Sequence, residues 1–195
     1  MIKYPELLHL MGGVDVDYLY YTTKRHPYAQ RPNVRRDEAE FAAVAEYIDK
    51  DLPIVGVCRG AQLLCVANGG ALWQHSNKHN GAHNIATAIG PLAPEGMIHM
   101  AEASHHQIMD LRGIPEDDYK ILAWAPFSTP VYDADDVQHI LEASPEVVWF
   151  PKTKCLAIQP HPEWSQHGEQ FRDWADSLVE KYTGQKNIFD VQHYY

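Results

Sequence analysis

Residues 52–62, LPIVGVCRGAQ, place a cysteine between two glycines directly after an apolar run. Such a run is typical of a strand that is covered on both faces. The residues that follow, through Gly69 and Gly70, have the pattern of a helix closed by glycine. A strand that turns at once into a helix brings the two elements close together, so small residues are needed on either side of the tip. Gly56 and Gly60 meet that requirement around Cys58.

Cys58 is therefore a candidate nucleophile. The tip of such a turn, called the elbow below, holds its residue in a strained backbone conformation with the side chain exposed. The N-terminus of the following helix adds partial positive charge, which favours a thiolate. A buried cysteine in an ordinary turn is the alternative, because short motifs often match by chance. Cys65 and Cys155 lie inside helix and strand patterns, so we expect both to pack in the core.

A histidine with a nearby carboxylate supplies the base that a thiol nucleophile needs. Residues 157–164, AIQPHPEW, place His161 between two prolines after a strand pattern, with Glu163 available to orient the imidazole. A lone histidine at a strand end is more often an ordinary polar residue. Open α/β sheets form their sites at the carboxyl ends of strands, which would bring Cys58 and His161 together.

The rest of the chain favours an α/β fold. Residues 6–10 favour a short strand, and residues 35–50 favour a helix capped at Asp37. Its predicted buried positions are Phe41, Val44, Ala45 and Ile48. Further strands are predicted in NIATAI, MIHM, KILAWA and HILEA, a hairpin in EVVWF-PKTK-CLAIQ, and a last helix in FRDWADSLVEKY. This order predicts a mostly parallel central sheet with an antiparallel extension, and no linker divides residues 1–195, so we expect one domain.

Composition argues against several functions. The net charge of −10 disfavours nucleic acid and anionic membranes as partners. No stretch approaches the ~18 apolar residues of a membrane span, and the first residues lack the apolar core of a signal peptide. Three cysteines, an odd number, fit a reducing compartment. We therefore expect a cytoplasmic location.

Histidines cluster in the middle of the chain. His75, His79 and His83 are spaced four apart, and on a helix such spacing can bind zinc. The segment HSNKHNGAH is a poor helix, however, and no matching carboxylate or thiolate set accompanies it in the sequence. We therefore predict no metal and no cofactor, and we expect residues 74–84 to form a polar loop near the mouth of the pocket.

These residues resemble the class I glutamine amidotransferase superfamily, in particular its γ-glutamyl hydrolase-like, or peptidase C26-like, branch. The segments that carry the resemblance are MGGVDVDYLYY (11–21), RRDEAE (35–40), GVCRGAQLLCVANGGALWQH (56–75), SHHQ (104–107) and CLAIQPHPEW (155–164). The chain is most similar in character to stand-alone versions encoded by bacteria and bacteriophages. The resemblance implies a flavodoxin-like three-layer sandwich.

The resemblance also implies a triad of Cys58, His161 and Glu163. Cys58 would attack the side-chain amide of glutamine or a γ-glutamyl compound, forming a thioester that water then hydrolyses. The backbone N–H groups of Gly13 and Arg59 would form the oxyanion hole. Implied substrate contacts are Gly12, Gln62, His105, His106 and Gln107. For Gln62, an ordinary position on the helix is an equal alternative. For His105, His106 and Gln107, the equal alternative is that they only support the loop.

Two departures from the family pattern stand out. Relatives usually carry a further βα unit before the strand that ends at Gly12. We therefore expect a shortened N-terminal unit that leaves one strand edge exposed. A rearrangement of the chain or a homo-oligomer would cover that edge. Glu102 and Ala103 replace the Ser or Asn that relatives often have there. Ammonia would pass to a synthase or ligase in trans, or the chain would hydrolyse γ-glutamyl compounds alone. The alternative is a catalytically inactive binding or assembly protein that retains the fold.

Overall fold

The computed structural model describes residues 6–88, 96–164, 169–186 and 188–189. Its helices are Val34–Asp49 (α1), Arg59–Ala67 (α2) and Glu169–Thr183 (α3). Its strands are Leu8–Leu10 (β1), Ile54–Val57 (β2), Ala71–Trp73 (β3), His75–Ser76 (β4), His83–Thr87 (β5), Ile98–Ala101 (β6), Ile108–Asp110 (β7), Lys120–Ala125 (β8), Thr129–Tyr132 (β9), Gln138–Leu141 (β10), Ser144–Phe150 (β11) and Cys155–Ile158 (β12). Single turns of 3₁₀ helix occupy Tyr18–Tyr20 and Glu116–Asp118.

A seven-stranded sheet organises the described residues. Its strand order is β1-β2-β12-β11-β8-β5-β6. Strands β1, β2 and β12 pair in parallel, and every pairing from β12 to β6 is antiparallel. Five of the seven strands consequently point the same way, which confirms the α/β class and the antiparallel extension. Two smaller sheets, β10-β9-β4 and β3-β7, stand beside it.

Helices cover both faces of the parallel strands. Alternate residues of β2 face opposite sides, so Ile54 packs in the cluster beneath α1 and α2, whereas Val55 packs in the cluster beneath α3. In β12, Cys155 packs in the cluster beneath α1 and α2, and Leu156 packs in the cluster beneath α3. All four of these side chains are fully buried. The result is the expected three-layer sandwich.

The hairpin and the last helix form as the sequence predicts. Strands β11 and β12 pair antiparallel across residues 151–154. The apolar face of α3 is buried at Phe171, Trp174, Ala175, Leu178 and Val179. Of the C-terminal tail, 187–195, for which the sequence shows no period, only Ile188 and Phe189 are within the described residues.

Helix α1 differs from its sequence-based description. Asn33 caps it, and its side chain accepts a hydrogen bond from the Arg36 N–H at 3.2 Å. Asp37 lies inside the helix, fully buried, because it pairs with the buried guanidinium of Arg59. Ala45 is exposed and Tyr47 is buried in its place.

Two further expectations concern the sheet edge and the histidine segment. Strand β1 is the edge strand of the described sheet, paired with β2. Residues 74–84 are not wholly loop, since His75–Ser76 pairs with β9 and β5 begins at His83.

In the part of the chain that the structure describes, no helix has the length and apolar character needed to cross a membrane.

Candidate active site

Cys58 occupies the elbow between β2 and α2. Its backbone has φ 52° and ψ −108°, a conformation that non-glycine residues rarely adopt and that costs about 1–3 kcal/mol. The Cys58 N–H donates to the carbonyl of Ile158 on β12 at 2.9 Å, and the Cys58 carbonyl accepts from the Gln62 N–H at 3.1 Å. The elbow is thus fixed to the neighbouring strand and to the first turn of α2. The side chain is 6% exposed.

The two glycines around Cys58 are required by close backbone packing. A Cβ on Gly56 would lie 2.5 Å from the carbonyl oxygen of Gly60. A Cβ on Gly60 would lie 2.3 Å from the carbonyl oxygen of Leu10 on β1. Because both obstacles are backbone atoms, neither can move aside alone. The predicted reason for the glycines is confirmed.

His161 lies in the turn after β12 and contacts both predicted partners. Its Nδ1 is 2.7 Å from Oε1 of Glu163. Burial alone would lower the pKa of His161, but hydrogen bonds from the protonated ring to the Cys58 sulfur and to Glu163, with the attraction of both groups, outweigh it and raise that pKa to about 9. The His161 N–H donates to the carbonyl of Glu102 at 2.8 Å, which fixes the turn. Sulfur, imidazole and carboxylate therefore form one chain of contacts, an arrangement able to activate a thiol.

Trp164 stacks on the imidazole of His161. The ring centroids are 3.7 Å apart and the planes are parallel within 1°. Trp164 is 40% exposed, so it forms part of the surface of the site. An aromatic face stabilises a cation placed over it. Sequence reasoning did not single out Trp164, although it directly follows Glu163 in the motif.

The Gly12-Gly13 loop lies against Cys58 and His161. A Cβ on Gly12 would be 3.1 Å from Cε1 of His161 and 3.6 Å from Cβ of Cys58. The Arg36 guanidinium holds this loop by donating to the carbonyl of Gly12 at 3.1 Å and to that of Met11 at 3.0 Å. The backbone of the loop is therefore close enough to contact any group bound at the sulfur.

The Arg59 side chain points away from the sulfur. It is buried and pairs with Asp37 and Glu40 of α1. Burial raises the pKa of Asp37, although the Arg59 charge opposes this. The backbone N–H of Arg59 lies in the first turn of α2, where it has no intrahelical acceptor. The sequence signal for Arg36, Asp37 and Glu40 was the charged RRDEAE segment, whose role as a support for the site was missed.

The other predicted substrate residues mostly bind protein groups. The Gln62 side chain donates to the carbonyl of Gln107 at 3.1 Å. The Gln107 side chain donates to the hydroxyl of Tyr21 at 3.5 Å. His106 lies 3.1 Å from Asp15, and the ring of His105 is directed toward Glu146. Of the five, Gly12 adjoins the Cys58–His161 pair, and direct substrate contact by the rest stays a prediction.

His9 of β1 is a further neighbour that sequence reasoning missed. Burial lowers the pKa of His9, against the opposing attraction of Glu163. Its ring meets Phe189 edge-on, with centroids 5.8 Å apart. In the sequence, His9 lies within ELLHL, where nothing distinguishes it from an ordinary strand residue.

A separate cavity of about 380 Å³ lies elsewhere in the molecule. Its lining includes Trp73, Arg112 and Tyr119 and none of the three predicted triad residues. The candidate site is therefore identified by its chemistry and not by cavity size.

Comparison with known proteins identifies the family of the chain. A family model described as Peptidase C26 matches residues 2–126, which include the elbow and the Gly12-Gly13 loop. The chain belongs to the peptidase C26 family. His161 and Glu163 lie beyond the residues matched to the C26 model, on the hairpin that the fold brings back to the elbow.

Individual relatives extend the likeness. The chain is 30% identical over 174 residues to Rv2859c of Mycobacterium tuberculosis, a candidate glutamine amidotransferase, covering 81% of this chain and 50% of that protein. It is 26% identical over 180 residues to the glutamine amidotransferase-like protein YvdE of Lactococcus lactis, also named as a candidate, covering 83% and 67%. The chain spans half the length of Rv2859c and of NtpR from Enterococcus hirae, and about two thirds of YvdE. Similarity to bacteriophage versions stays a prediction.

Solved structures support the fold. PurLQS from Thermotoga maritima superposes with a TM-score of 0.58 at 17% identity, covering 90% of this chain and 79% of that one. At this identity the likeness concerns the architecture alone.

Proposed function

We propose that this C26 chain hydrolyses the side-chain amide of glutamine or of a γ-glutamyl compound through a thioester on Cys58. The observation that carries the proposal is the continuous contact from the Cys58 thiol through His161 to Glu163 at a strained elbow. Membership of a family whose relatives are named as glutamine amidotransferases supports the choice of amide.

The reaction follows from the proton positions. His161, whose raised pKa favours the protonated ring, holds the proton from the thiol while the Cys58 sulfur attacks the amide carbon. The imidazolium, stabilised by Glu163 and Trp164, returns the proton to the leaving nitrogen as the C–N bond breaks. Ammonia or an amine departs, and a water activated by the now neutral His161 hydrolyses the thioester and restores the thiol.

Charge on the tetrahedral oxygen requires fixed donors. We assign this role to the backbone N–H groups of Arg59 and Gly13. The Arg59 N–H is available because it lies in the first turn of α2. Gly13 is held against Arg36, since a Cβ on Gly13 would lie 2.2 Å from Arg36 Nη1. Arg36 thus fixes the loop that would present the second donor.

The fate of the nitrogen separates two forms of this function. Ammonia released from glutamine would pass to a synthase or ligase in trans, whereas a γ-glutamyl hydrolase would release an amine unaided. Measuring ammonia from glutamine and free amine from a panel of γ-glutamyl amines distinguishes them.

Labelling with acivicin, an electrophilic glutamine analogue, tests the proposal. We expect one adduct per chain, located by peptide mass spectrometry at Cys58 and absent in Cys58→Ala. Cys155 and Cys65 are controls within the same molecule, because burial raises the pKa of Cys155 to about 11 and raises that of Cys65 further. At neutral pH neither should react.

One result would overturn the enzyme assignment. If folded protein gains no adduct and leaves glutamine and γ-glutamyl amines intact, the chain is a binding or assembly protein that retains the fold. Circular dichroism of the same sample establishes that it is folded.

A further inference from the structure

Three histidines and one glutamate converge in a buried cluster apart from Cys58. His79 and His83 come from the segment that enters β5, His105 from the SHHQ segment, and Glu146 from β11. The side chains of His79 and Glu146 are fully buried, that of His105 is 1% exposed and that of His83 is 9% exposed. Charged or polar groups buried this deeply require partners.

The spacing of the inward-facing atoms fits a small cation. His79 Nδ1 lies 2.9 Å from Glu146 Oε1, His83 Nε2 lies 3.4 Å from the same oxygen, and His105 Nε2 lies 3.8 Å from Oε2. Tetrahedral zinc binds nitrogen and oxygen at ~2.0–2.2 Å, which places its ligand atoms about 3.3–3.5 Å apart. The ligand atoms of His79, His83 and Glu146 all lie within 4.8 Å of one another, whereas His105 approaches the other carboxylate oxygen.

The outer nitrogens of the same rings have acceptors of their own. His83 Nδ1 lies 3.3 Å from the carbonyl of Gly81, and His105 Nδ1 lies 3.0 Å from the carbonyl of Gln107. His79 Nε2 lies 3.3 Å from Thr129 Oγ1, a hydroxyl that donates its own proton to the carbonyl of Phe127.

These contacts determine where the protons lie. A carbonyl only accepts, so the N–H of each neutral ring points outward and its lone pair points inward at the carboxylate. Outer acceptors of this kind orient histidines that bind metals. Three lone pairs facing a carboxylate repel it unless a ring takes a second proton or one cation lies between them. A single imidazolium would pair with the carboxylate but leave the other two inward nitrogens without a partner among the described residues, whereas one bound cation stabilises the whole group.

We propose that His79, His83 and Glu146 together bind one Zn²⁺ ion, with the ring of His105 beside them. Imidazole nitrogen with carboxylate oxygen suits zinc and its transition-metal neighbours, whereas Ca²⁺ and Mg²⁺ prefer oxygen ligands throughout. Three protein ligands leave one tetrahedral position, which a water or a small movement of the His105 ring would fill. The proposal replaces the sequence-based expectation of no metal, because the missing carboxylate comes from a strand distant in sequence.

The ion would tie the scaffold of the candidate active site together. The Gln107 carbonyl accepts from both His105 and Gln62, and Gln62 lies one turn after Cys58. The Gln159 N–H, two residues before His161, donates to the carbonyl of Glu146 at 2.7 Å. The metal would thus fix the segments that position both the sulfur and the imidazole.

Metal analysis of the purified chain tests this directly. We expect about one zinc per chain after purification without chelator, and a lower melting temperature after chelation that added Zn²⁺ restores. Co²⁺ substitution should give the visible absorption of a four-coordinate site. His83→Ala should lose the metal, whereas His139→Ala should keep it, because half-buried His139 pairs with Asp133 outside the cluster.

A conservative variant keeps the test valid if ligand variants fold poorly. Thr129→Val preserves shape but removes the acceptor for His79, so we expect zinc affinity to fall roughly 10–100-fold. The proposal fails if wild-type protein retains no metal and its melting temperature ignores added Zn²⁺, Co²⁺ and Ni²⁺. It also fails if His83→Ala and Glu146→Gln bind zinc as tightly as wild type.

Discussion

At the scale of single residues, three cysteines of one chain have three different environments. Burial in the core raises the pKa of Cys155 to about 11 and raises that of Cys65 beyond it, and both thiols donate to backbone carbonyls. Cys58 instead has a strained backbone, a hydrogen bond to His161 and a position at a helix N-terminus. Backbone strain of this kind persists only where surrounding contacts enforce it, and here the hydrogen bond to β12 and two glycines do so.

Trp164 provides a prediction at the same scale. Trp164→Ala removes the ring stacked on the imidazolium, so we expect the pKa of His161 to fall and acivicin labelling to slow about 2–5-fold, the equivalent of ~0.5–1 kcal/mol for a partly exposed cation–π contact. Trp164→Phe, which keeps an aromatic face, should retain most of the rate. The pKa is followed by NMR titration of the His161 ring.

Because Trp164 is partly exposed, its removal should leave folding intact, and the melting temperature is the control. An unchanged His161 titration in Trp164→Ala would show that the stacking does not stabilise the imidazolium.

At the scale of elements, the packing of α2 against β1 determines where the elbow lies. Gly60 is inside α2, and replacing a helical glycine by alanine normally stabilises by about 0.5–1 kcal/mol. Here the new Cβ would meet the carbonyl of Leu10 at 2.3 Å. Overpacking against backbone costs ~1–3 kcal/mol or more, so we expect Gly60→Ala to destabilise the protein and slow labelling. Urea unfolding measures whether the free energy of unfolding falls or rises in Gly60→Ala. A rise would show that the helix and the strand are free to separate.

Sequence periodicity could predict the elements that matter most for the elbow. The apolar run of β2, the helix after it, the β11–β12 hairpin and the face of α3 all have local signals. Strands β3, β7 and β9 were missed because they are short and pair in small sheets beside the main one. Their stability comes from neighbours that no local window contains.

The residues of the candidate site divide in the same way, into those with a local sequence signal and those that depend on distant parts of the chain. Cys58, His161 and Glu163 belong to compact motifs, so their proximity could be predicted from strand ends. Glu146 lies in EVVWF, where it has the pattern of an ordinary strand residue. Only the antiparallel extension, which places β11 between β12 and β8, brings it under the histidine segment. Asp37 was taken for a helix cap because its partner, Arg59, is on another helix.

At the scale of the whole molecule, the Cys58–His161 pair joins two parts of the sheet. Cys58 follows β2 and His161 follows β12, adjacent parallel strands, and β12 also begins the antiparallel half. A proton held at this junction therefore stabilises contacts between both parts.

Thermal unfolding across pH tests that stabilisation. The pKa of His161 rises from 6.5 to about 9 on folding, so the folded state holds this proton more tightly. The resulting stability is fully present below pH 6.5 and is lost as pH rises through 9. The melting temperature should therefore fall by several degrees, which corresponds to ~1 kcal/mol or more, as pH rises through this range. His161→Gln removes the titrating group, so its melting temperature should fall less over the same range. Equal losses in the two proteins would mean that other groups account for the alkaline decline and that the imidazolium does not stabilise the fold.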